Sequence, residues 1–286
     1  MKLEGRRKSS NVDDRRGRRS TGGGIKLSGG MIVLILIAAV IFKKNPLALL
    51  EQTGALSQGS SEVGETGPLS EEQRKMGDFA AIILASTEDV WAKEFREMGM
   101  VYEPPTMVLF TDATDSGCGF ASAQTGPFYC PADRDVYLDL SFFDEMSRRF
   151  HAPGDFAQAY VIAHEVGHHV QNLLGISDQV HSAQQRSDPT AANRLSVRLE
   201  LQADFLAGMW ARHDQERFGS LEEGDIDEAM RAANAIGDDT LQKQAQGKVV
   251  PDSFTHGTSE QRMRWFMKGF RGEPFDPDNT FRAKDL

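Results

Sequence analysis

The chain has 286 residues, of which 40% are hydrophobic and 26% charged, and this ordinary globular composition excludes a largely disordered chain and a multi-span membrane protein. The length allows one large domain or two small ones, and one folded domain is expected. The charge is uneven, because residues 1–44 carry a formal net charge of +8 and the rest of the chain carries −18. The acidic body, and a basic region without interleaved aromatic residues, argue against nucleic acid as a partner.

The first predicted element is a membrane anchor behind a basic tail. The apolar run Met31 to Phe42 has 12 residues, fewer than the roughly 20 that span a bilayer, so a buried helix is an alternative. Extension to 27–44, with the flanking lysines reaching outward, gives a marginal span, and no signal-peptide cleavage site follows. Because 9 Lys and Arg precede the run and 2 follow it, the sequence predicts a cytoplasmic tail at 1–26 and a single-pass transmembrane helix at 27–44. The rest of the chain would then be extracytoplasmic, in the periplasm or at the cell surface.

A linker and a folded domain follow the anchor. Residues 45–69 are rich in Gly and Ser without a period and are predicted to be a flexible linker. The domain at 70–286 begins with Ser70 and Gln73, spaced as a capping box ahead of a helix. Two short β-rich runs, 106–111 and 135–140, come next, and helical patterns predominate from Ser141 onward. The predicted class is α+β, mainly helical, with a small sheet.

Both cysteines of the chain, Cys118 and Cys130, lie between the two β-rich runs. In an extracytoplasmic domain a disulfide between them is expected, and closing a loop of this size stabilises a fold by about 3 kcal/mol. Two reduced, buried thiols are the alternative if the anchor prediction is wrong. A zinc site is not expected here, since no Cys-x-x-Cys pair is present.

The chemistry is predicted at His164-Glu165-Val166-Gly167-His168. Two histidines four residues apart on a helix differ by about 40° around its axis, so both imidazoles reach one metal ion from one face. Glu165 then flanks the ion, where it can take a proton from a water acidified by zinc and pass it to a leaving amine. His169 points roughly 140° away from His164 and is left as a structural residue or a neighbour of the ligands. Gly167 indicates that another backbone packs close to the site.

A catalytic zinc site needs a third protein ligand, and Glu200 is the candidate. It lies in an apolar helical stretch, with Asp204 one turn later, where unpartnered acids are rare. Asp204 is expected to hold the outer nitrogen of a ligand histidine. A solvated helix face with two ordinary acids is the alternative. Leu174 stands where the metzincin pattern requires a histidine, which excludes that class.

The sequence resembles the bacterial neutral zinc metallopeptidase family. Four stretches carry the resemblance in order: CGFASAQTGPFYCPADRDVYLDLSFF, HEVGHHVQ, ELQADFLAG and FTHGTSEQRMRWF. The resemblance covers nearly the whole chain, including the basic N-terminus and the single span. It implies a zincin-like fold of the gluzincin type, with His164 and His168 on one helix, Glu200 on a second, a small sheet alongside and one zinc ion per chain. No departure is seen at the metal and base positions.

The predicted function is hydrolysis of peptide bonds, with Glu165 as base and then acid. His256 is expected to stabilise the oxyanion of the tetrahedral intermediate, with Arg262 in reserve and a purely structural helix-cap role for His256 as the alternative. His151, His181 and His213 are expected to be surface residues. An extended peptide or polypeptide substrate is expected to pair with the exposed sheet edge within Gly119 to Gln124.

Other interpretations of the same residues stay open. A membrane-tethered module in which zinc is structural would hold partners without cleavage, and it predicts a closed site. A segment such as Asp178 to Pro189 could shield the site and keep the enzyme latent. Among enzymes, an amidase acting on cell-wall peptides would use the same residues as a protease.

Overall fold

The computed structural model describes residues 1–17, 68–122 and 125–286. Residues 1–16 and 69–286 form one compact unit, and 17–68 are assigned to a second. The predicted span at 27–44 and nearly all of the predicted linker therefore lie outside the described residues. Within the described residues, no helix is both long enough and apolar enough to cross a bilayer.

The sheet has four strands in the order β1-β2-β6-β5. Strands β1 (Val12–Asp14), β2 (Met107–Phe110) and β6 (Asp135–Asp139) are parallel, and β5 (Phe128–Cys130) runs antiparallel to β6 at one edge. A separate hairpin is formed by β3 (Ala113–Ser116) and β4 (Gly119–Ser122). All four residues of β2 are buried, as expected for a strand covered on both faces.

Helices make up the rest of the described structure. They are α1 (Glu71–Glu97), α2 (Ser141–Arg148), α3 (Asp155–Leu173), α4 (Ile176–Gln184), α5 (Pro189–Phe218), α6 (Asp225–Ala235), α7 (Asp238–Gln246), α8 (Ser259–Phe270) and α9 (Asn279–Arg282). A capping box of Ser70 and Gln73 starts α1, as predicted, and Thr258 with Gln261 forms the same device at α8. The α+β class, mainly helical with a small sheet, is confirmed.

Helix α3 lies in the hydrophobic core and carries the histidine motif. It packs against α1, α4, α5, α6 and the strands β5 and β6. Phe156, Tyr160, Val166 and Val170 on α3 are fully buried, and burial of such side chains contributes about 1.5–3 kcal/mol each. The first half of the helix is therefore held rigidly, which gives the motif a defined orientation.

Close backbone contacts bring α5 to its neighbours. A Cβ on Gly167 would lie 3.1 Å from the carbonyl oxygen of Ala203, so α3 and α5 nearly touch at the motif. The close backbone approach predicted from Gly167 is thus present. Farther along, Gly208 of α5 and Gly269 of α8 face each other's helix backbones, and a Cβ at either would meet a carbonyl oxygen at 2.0 Å. These glycines allow α8 to cross α5 closely.

The N-terminal residues differ from the predicted tail. Residues 1–16, hereafter the N-terminal segment, pack on the domain and supply the edge strand β1. The guanidinium of Arg6 pairs with Asp214, and both side chains are buried. The sequence analysis counted Arg6 toward a basic tail, because pairing with an acid 208 positions away leaves no local pattern.

The predicted disulfide between Cys118 and Cys130 is present, with their Cα atoms 5.8 Å apart. It connects the turn between β3 and β4 to the end of β5, since Cys130 is the last residue of that strand. Cys130 is fully buried. The bond therefore ties the exposed hairpin to the sheet edge nearest the histidine helix.

Candidate metal and catalytic site

A cleft of about 680 Å³ opens over helix α3. The cleft is lined by His164, Glu165 and His168 of α3, by Glu200 of α5, and by Phe128 and Tyr129 of β5. Its lining also includes His256, Arg262 and, from α4, Asp178, His181 and Gln184. The structure therefore brings every residue predicted for the metal and for catalysis to one cavity. We call this cavity the metal cleft.

Three ligand atoms converge in the metal cleft at the spacing of a zinc site. The Nε2 atom of His164 lies 3.2 Å from one carboxylate oxygen of Glu200, and the Nε2 atom of His168 lies 3.4 Å from the other. All three residues offer atoms within 4.8 Å of one another. Tetrahedral zinc with ligands at about 2.0–2.1 Å requires ligand atoms about 3.3 Å apart. The residues present thus fit a zinc ion.

A buried ionic network orients His164. Its Nδ1 atom lies 2.9 Å from Asp204, which also accepts the Tyr160 hydroxyl at 2.5 Å. Arg262 donates to both oxygens of Asp204, at 2.9 and 3.0 Å. Burial would raise the pKa of Asp204, but the charges of Arg262 and His164 outweigh it and bring the pKa down to about 2. An ionised Asp204 accepts the Nδ1 proton and leaves Nε2 of His164 free to bind metal.

Gln171 performs the same task for His168, and the sequence analysis missed it. Its Oε1 atom lies 2.9 Å from Nδ1 of His168, while its amide nitrogen donates to the carbonyl of Leu199 at 2.7 Å and to Gln202 at 3.1 Å. Because those two bonds fix the amide, Oε1 faces the imidazole and accepts its proton. Gln171 therefore links His168 to the helix turn that bears Glu200. In the sequence, only the position of Gln171 three residues after His168 indicates this role.

Glu165 lies beside the three ligands without contacting a cation. Its side chain is buried at the cleft floor. Burial raises the pKa of the Glu165 carboxyl, although the neighbouring histidines and a backbone hydrogen bond from Tyr129 oppose the shift. A carboxylate with a raised pKa at the edge of a metal site suits a general base.

Strand β5 forms one wall of the metal cleft, and a contact from His169 to Tyr129 keeps the strand in place. The His169 ring contacts the Tyr129 hydroxyl at 3.2 Å and the Glu103 carbonyl at 2.7 Å. Burial lowers the pKa of His169 to about 4, so the ring is neutral at pH 7. Asn172 also donates to the Tyr129 hydroxyl. His169 thus faces away from the metal ligands, as its helical position predicted.

The edge strand at the site is β5 rather than the segment 119–124. Gly119–Ser122 pairs with β3 in the separate hairpin and does not line the metal cleft, and Ala123 and Gln124 lie outside the described residues. By contrast, β5 is the outer strand of the four-stranded sheet. Substrate pairing within 119–124 stays a prediction, and the sequence did not reveal that β5 is the strand that pairs with β6.

His256 and Arg262 have different surroundings. Arg262 is fully buried and committed to Asp204. His256 is half exposed, and its Nδ1 atom lies 3.4 Å from a carboxylate oxygen of Asp238. The other oxygen of Asp238 accepts the backbone amides of Thr255, His256 and Gly257. Its hydrogen bond to Asp238 raises the pKa of His256 above its ordinary value.

The remaining histidines differ in solvent exposure. His151 and His181 are exposed and His213 is half-buried beside Glu94, so the first two match the expected surface location. His181 nevertheless lines the metal cleft. The sequence gave no reason to expect this, because the turn that brings α4 to the cleft is a tertiary feature.

A second group of potential ligands lies elsewhere in the described residues. Asp155, Asp225 and Glu228 offer carboxylate atoms within 4.8 Å of one another. The Met1 amino group lies among them, 2.8 Å from Asp155 and 3.4 Å from Asp225. The Met1 amino group thus already forms ion pairs with two of the three carboxylates.

Comparison with known families agrees with the site. The family described as "Putative neutral zinc metallopeptidase" matches residues 1–281. The chain belongs to this family. Escherichia coli K12 protein YpfJ is 50% identical over 289 residues, covering 98% of this chain and 99% of its own. Mycobacterium tuberculosis protein Rv2575 is 44% identical over 196 residues, covering 65% of each chain. Both carry the name "Uncharacterized protein", and no solved structure matches.

Proposed function

We propose that the protein is a zinc-dependent peptidase that hydrolyses peptide bonds in the metal cleft. The observation that carries the proposal is the convergence of His164, His168 and Glu200, whose ligand atoms lie within 4.8 Å of one another in the cleft that Glu165 also lines. Family membership supports zinc and peptidase chemistry at the level of the family. The packing of the two ligand helices beside a small sheet supports a zincin-like fold.

The three ligands would hold one zinc ion per chain, with His164 and His168 binding through Nε2. When bound, zinc supplies a Lewis acid that polarises the substrate carbonyl and lowers the pKa of the attacking water. Asp204 and Gln171 accept protons from the Nδ1 atoms and so keep both imidazoles in the tautomer that binds metal. The chain itself therefore holds both imidazoles in the orientation that binds metal.

Glu165 transfers a proton in both halves of the reaction. As a carboxylate it takes a proton from the attacking water, and as a carboxylic acid it returns that proton to the leaving amine. Its burial raises the pKa of the Glu165 carboxyl above that of an exposed glutamate, which makes the carboxylate a better proton acceptor. A structural zinc site has no use for such a base, which weighs against a binding module.

His256 is placed to stabilise the oxyanion. It lines the metal cleft and is half exposed there, so its Nε2 atom is available to a ligand. Asp238 orients the ring and favours the imidazolium, which is the form that best donates to a negative oxygen. Arg262 supports the site indirectly through Asp204 and is not the oxyanion partner.

An extended peptide would bind along the free edge of β5. Within the described residues, β5 pairs with one other strand, β6, and Phe128 and Tyr129 line the cleft. Main-chain hydrogen bonds to a strand edge align a substrate independently of its side chains. Protein and cell-wall peptide substrates would share this mode of alignment, so the mode does not select between them.

The location of the enzyme rests on two observations. The disulfide between Cys118 and Cys130 supports an oxidising, extracytoplasmic compartment, since such bonds are rare in the cytosol. The apolar run at 31–42 supports contact with a membrane.

The test compares the full chain with the Glu165→Gln variant and with Glu145→Gln, an exposed glutamate of α2, as a control. Metal analysis is expected to find one zinc in each protein. On a mixed peptide and protein library, Glu165→Gln is expected to cut about 10³-fold more slowly, and the control at the wild-type rate. Zinc binding without cleavage by any of the three proteins would support a binding module or a latent enzyme instead.

A further inference from the structure

The basic N-terminal segment is bound to the domain along its whole length. After Lys2, whose amide donates to the Ser220 carbonyl, Arg6 pairs with Asp214 and Ser9 donates to Glu88. Residues 12–14 then pair with β2 as the strand β1. Arg15 continues this pairing through a backbone bond to Leu109. The segment thus touches α1, α5 and the sheet in 16 residues.

The domain side of this contact is acidic and buried. Asp214 is 1% exposed and Glu88 is 9% exposed. The N-terminal segment supplies the cation for Asp214, and Ser9, Asn11 and Arg7 supply partners for Glu88. If the segment left the domain, two buried carboxylates would lose most of their partners, which is costly. Charge complementarity therefore argues that the packed arrangement belongs to the folded protein.

The chain leaves and re-enters the domain at one place. Arg16, the last residue of the segment, donates to the carbonyl of Gln73 at 2.6 Å. Gln73 lies in the first turn of α1, just after the chain returns at residue 69. Gly77 makes room for the same arginine, because a Cβ there would meet the guanidinium at 2.2 Å. The two ends of the intervening stretch are therefore adjacent.

This adjacency restricts how the chain can meet a membrane. A single crossing between residues 17 and 68 would leave Arg16 and Gln73 on opposite sides of a hydrocarbon layer about 30 Å thick. Their direct contact excludes that arrangement. The predicted cytoplasmic tail with an extracytoplasmic domain and the packed N-terminal segment therefore cannot hold at once.

We propose that the N-terminal segment is a built-in part of the peptidase domain and lies on the same side of the membrane as residues 69–286. The match to the family from residue 1 onward supports a domain that includes the segment. Among the basic residues counted for a cytoplasmic tail, Arg6, Arg7 and Lys8 form ion pairs with the domain.

The test uses cross-linking in the full chain. Lys8 and Asp78 form an ion pair at 2.6 Å and are both about half exposed, so Lys8→Cys and Asp78→Cys leave the fold intact. The two native cysteines are in a disulfide and do not react with maleimides. A site for a specific protease is placed within residues 51–67. After treatment of cells with a short bis-maleimide and cleavage, the N-terminal fragment is expected to stay attached to the domain.

The matched control pairs Lys8→Cys with Arg194→Cys, since Arg194 is exposed and contacts Asp252 instead of the N-terminal segment. This pair is expected to release the fragment. In sealed vesicles, a membrane-impermeant maleimide is expected to label the single variants Lys8→Cys and Asp78→Cys to the same extent. Labelling of one only after permeabilisation, or release of the fragment from the Lys8/Asp78 pair, would overturn the proposal and restore the single-pass topology.

Discussion

The metal cleft and the contact made by the N-terminal segment both concentrate charge, but they differ in what completes them. In the cleft, Glu200 faces two imidazole nitrogens at the spacing of a tetrahedral ion, and Glu165 lies free beside them. In the N-terminal contact, two carboxylates of the triad Asp155, Asp225 and Glu228 already pair with the Met1 amino group. Three convergent ligand atoms are thus not enough to identify a metal site. The donor types and the presence of an internal cation decide.

The largest expected effect separates the two clusters by their metal content. His164→Ala removes a zinc ligand, so metal analysis of the full chain should fall from one zinc to near zero and peptide cleavage to background. Asp225→Asn changes the acidic triad and should keep one zinc. Loss of zinc from Asp225→Asn, with the metal retained by His164→Ala, would reverse the assignment of the two clusters.

The next prediction concerns the stability that the N-terminal segment gives. Arg6→Ala leaves Asp214 buried without its cation, so the free energy of unfolding should fall by about 3–5 kcal/mol in urea denaturation. Lys8→Ala is the matched control, because Lys8 and its partner Asp78 are both about half exposed and loss of their ion pair should cost less than about 1 kcal/mol. Equal effects of the two variants would mean that the segment is only loosely held.

A smaller effect is expected from the orientation of His168. Gln171→Ala removes the acceptor at Nδ1, so zinc affinity should fall about 10–100-fold in competition with a chelator. Gln202→Ala removes a neighbouring buried amide that does not touch His168, and it should weaken zinc binding less. If both variants weaken zinc equally, general loosening of the helix pair, and not the imidazole contact, is the cause.

The smallest effect is a shift in pH dependence. The imidazolium of His256 is the active form, so kcat/KM should fall as pH rises through its pKa. Because Asp238 raises that pKa, Asp238→Asn should move the alkaline limb of the profile to lower pH, while the amide oxygen still accepts the backbone bonds of residues 255–257. His256→Ala should abolish this limb and lower kcat about 10²-fold. An unchanged alkaline limb in Asp238→Asn would remove His256 from the proposed chemistry.

The motif on α3 and its downstream acids were predictable because they depend on local geometry. The spacing of His164 and His168 on a helix already places both imidazoles on one face, and an acid pair one turn apart on an apolar helix suggests buried partners. The capping box at Ser70 likewise follows from a short-range pattern. The disulfide of Cys118 with Cys130 follows from their spacing and from the compartment expected for the domain. These features need no knowledge of how distant segments pack.

Residue order by itself determined the mainly helical class, the histidine motif and the candidate ligands, because helix periodicity and ligand spacing repeat within a few residues. Only the tertiary structure showed that Gln171 orients His168, that β5 is the edge at the cleft, and that Arg262 serves Asp204 while His256 faces the cavity. It also placed the basic N-terminal segment against buried acids far along the chain. Such contacts join residues separated by up to two hundred positions, and their partners are selected by packing and charge pairing, which no local pattern records.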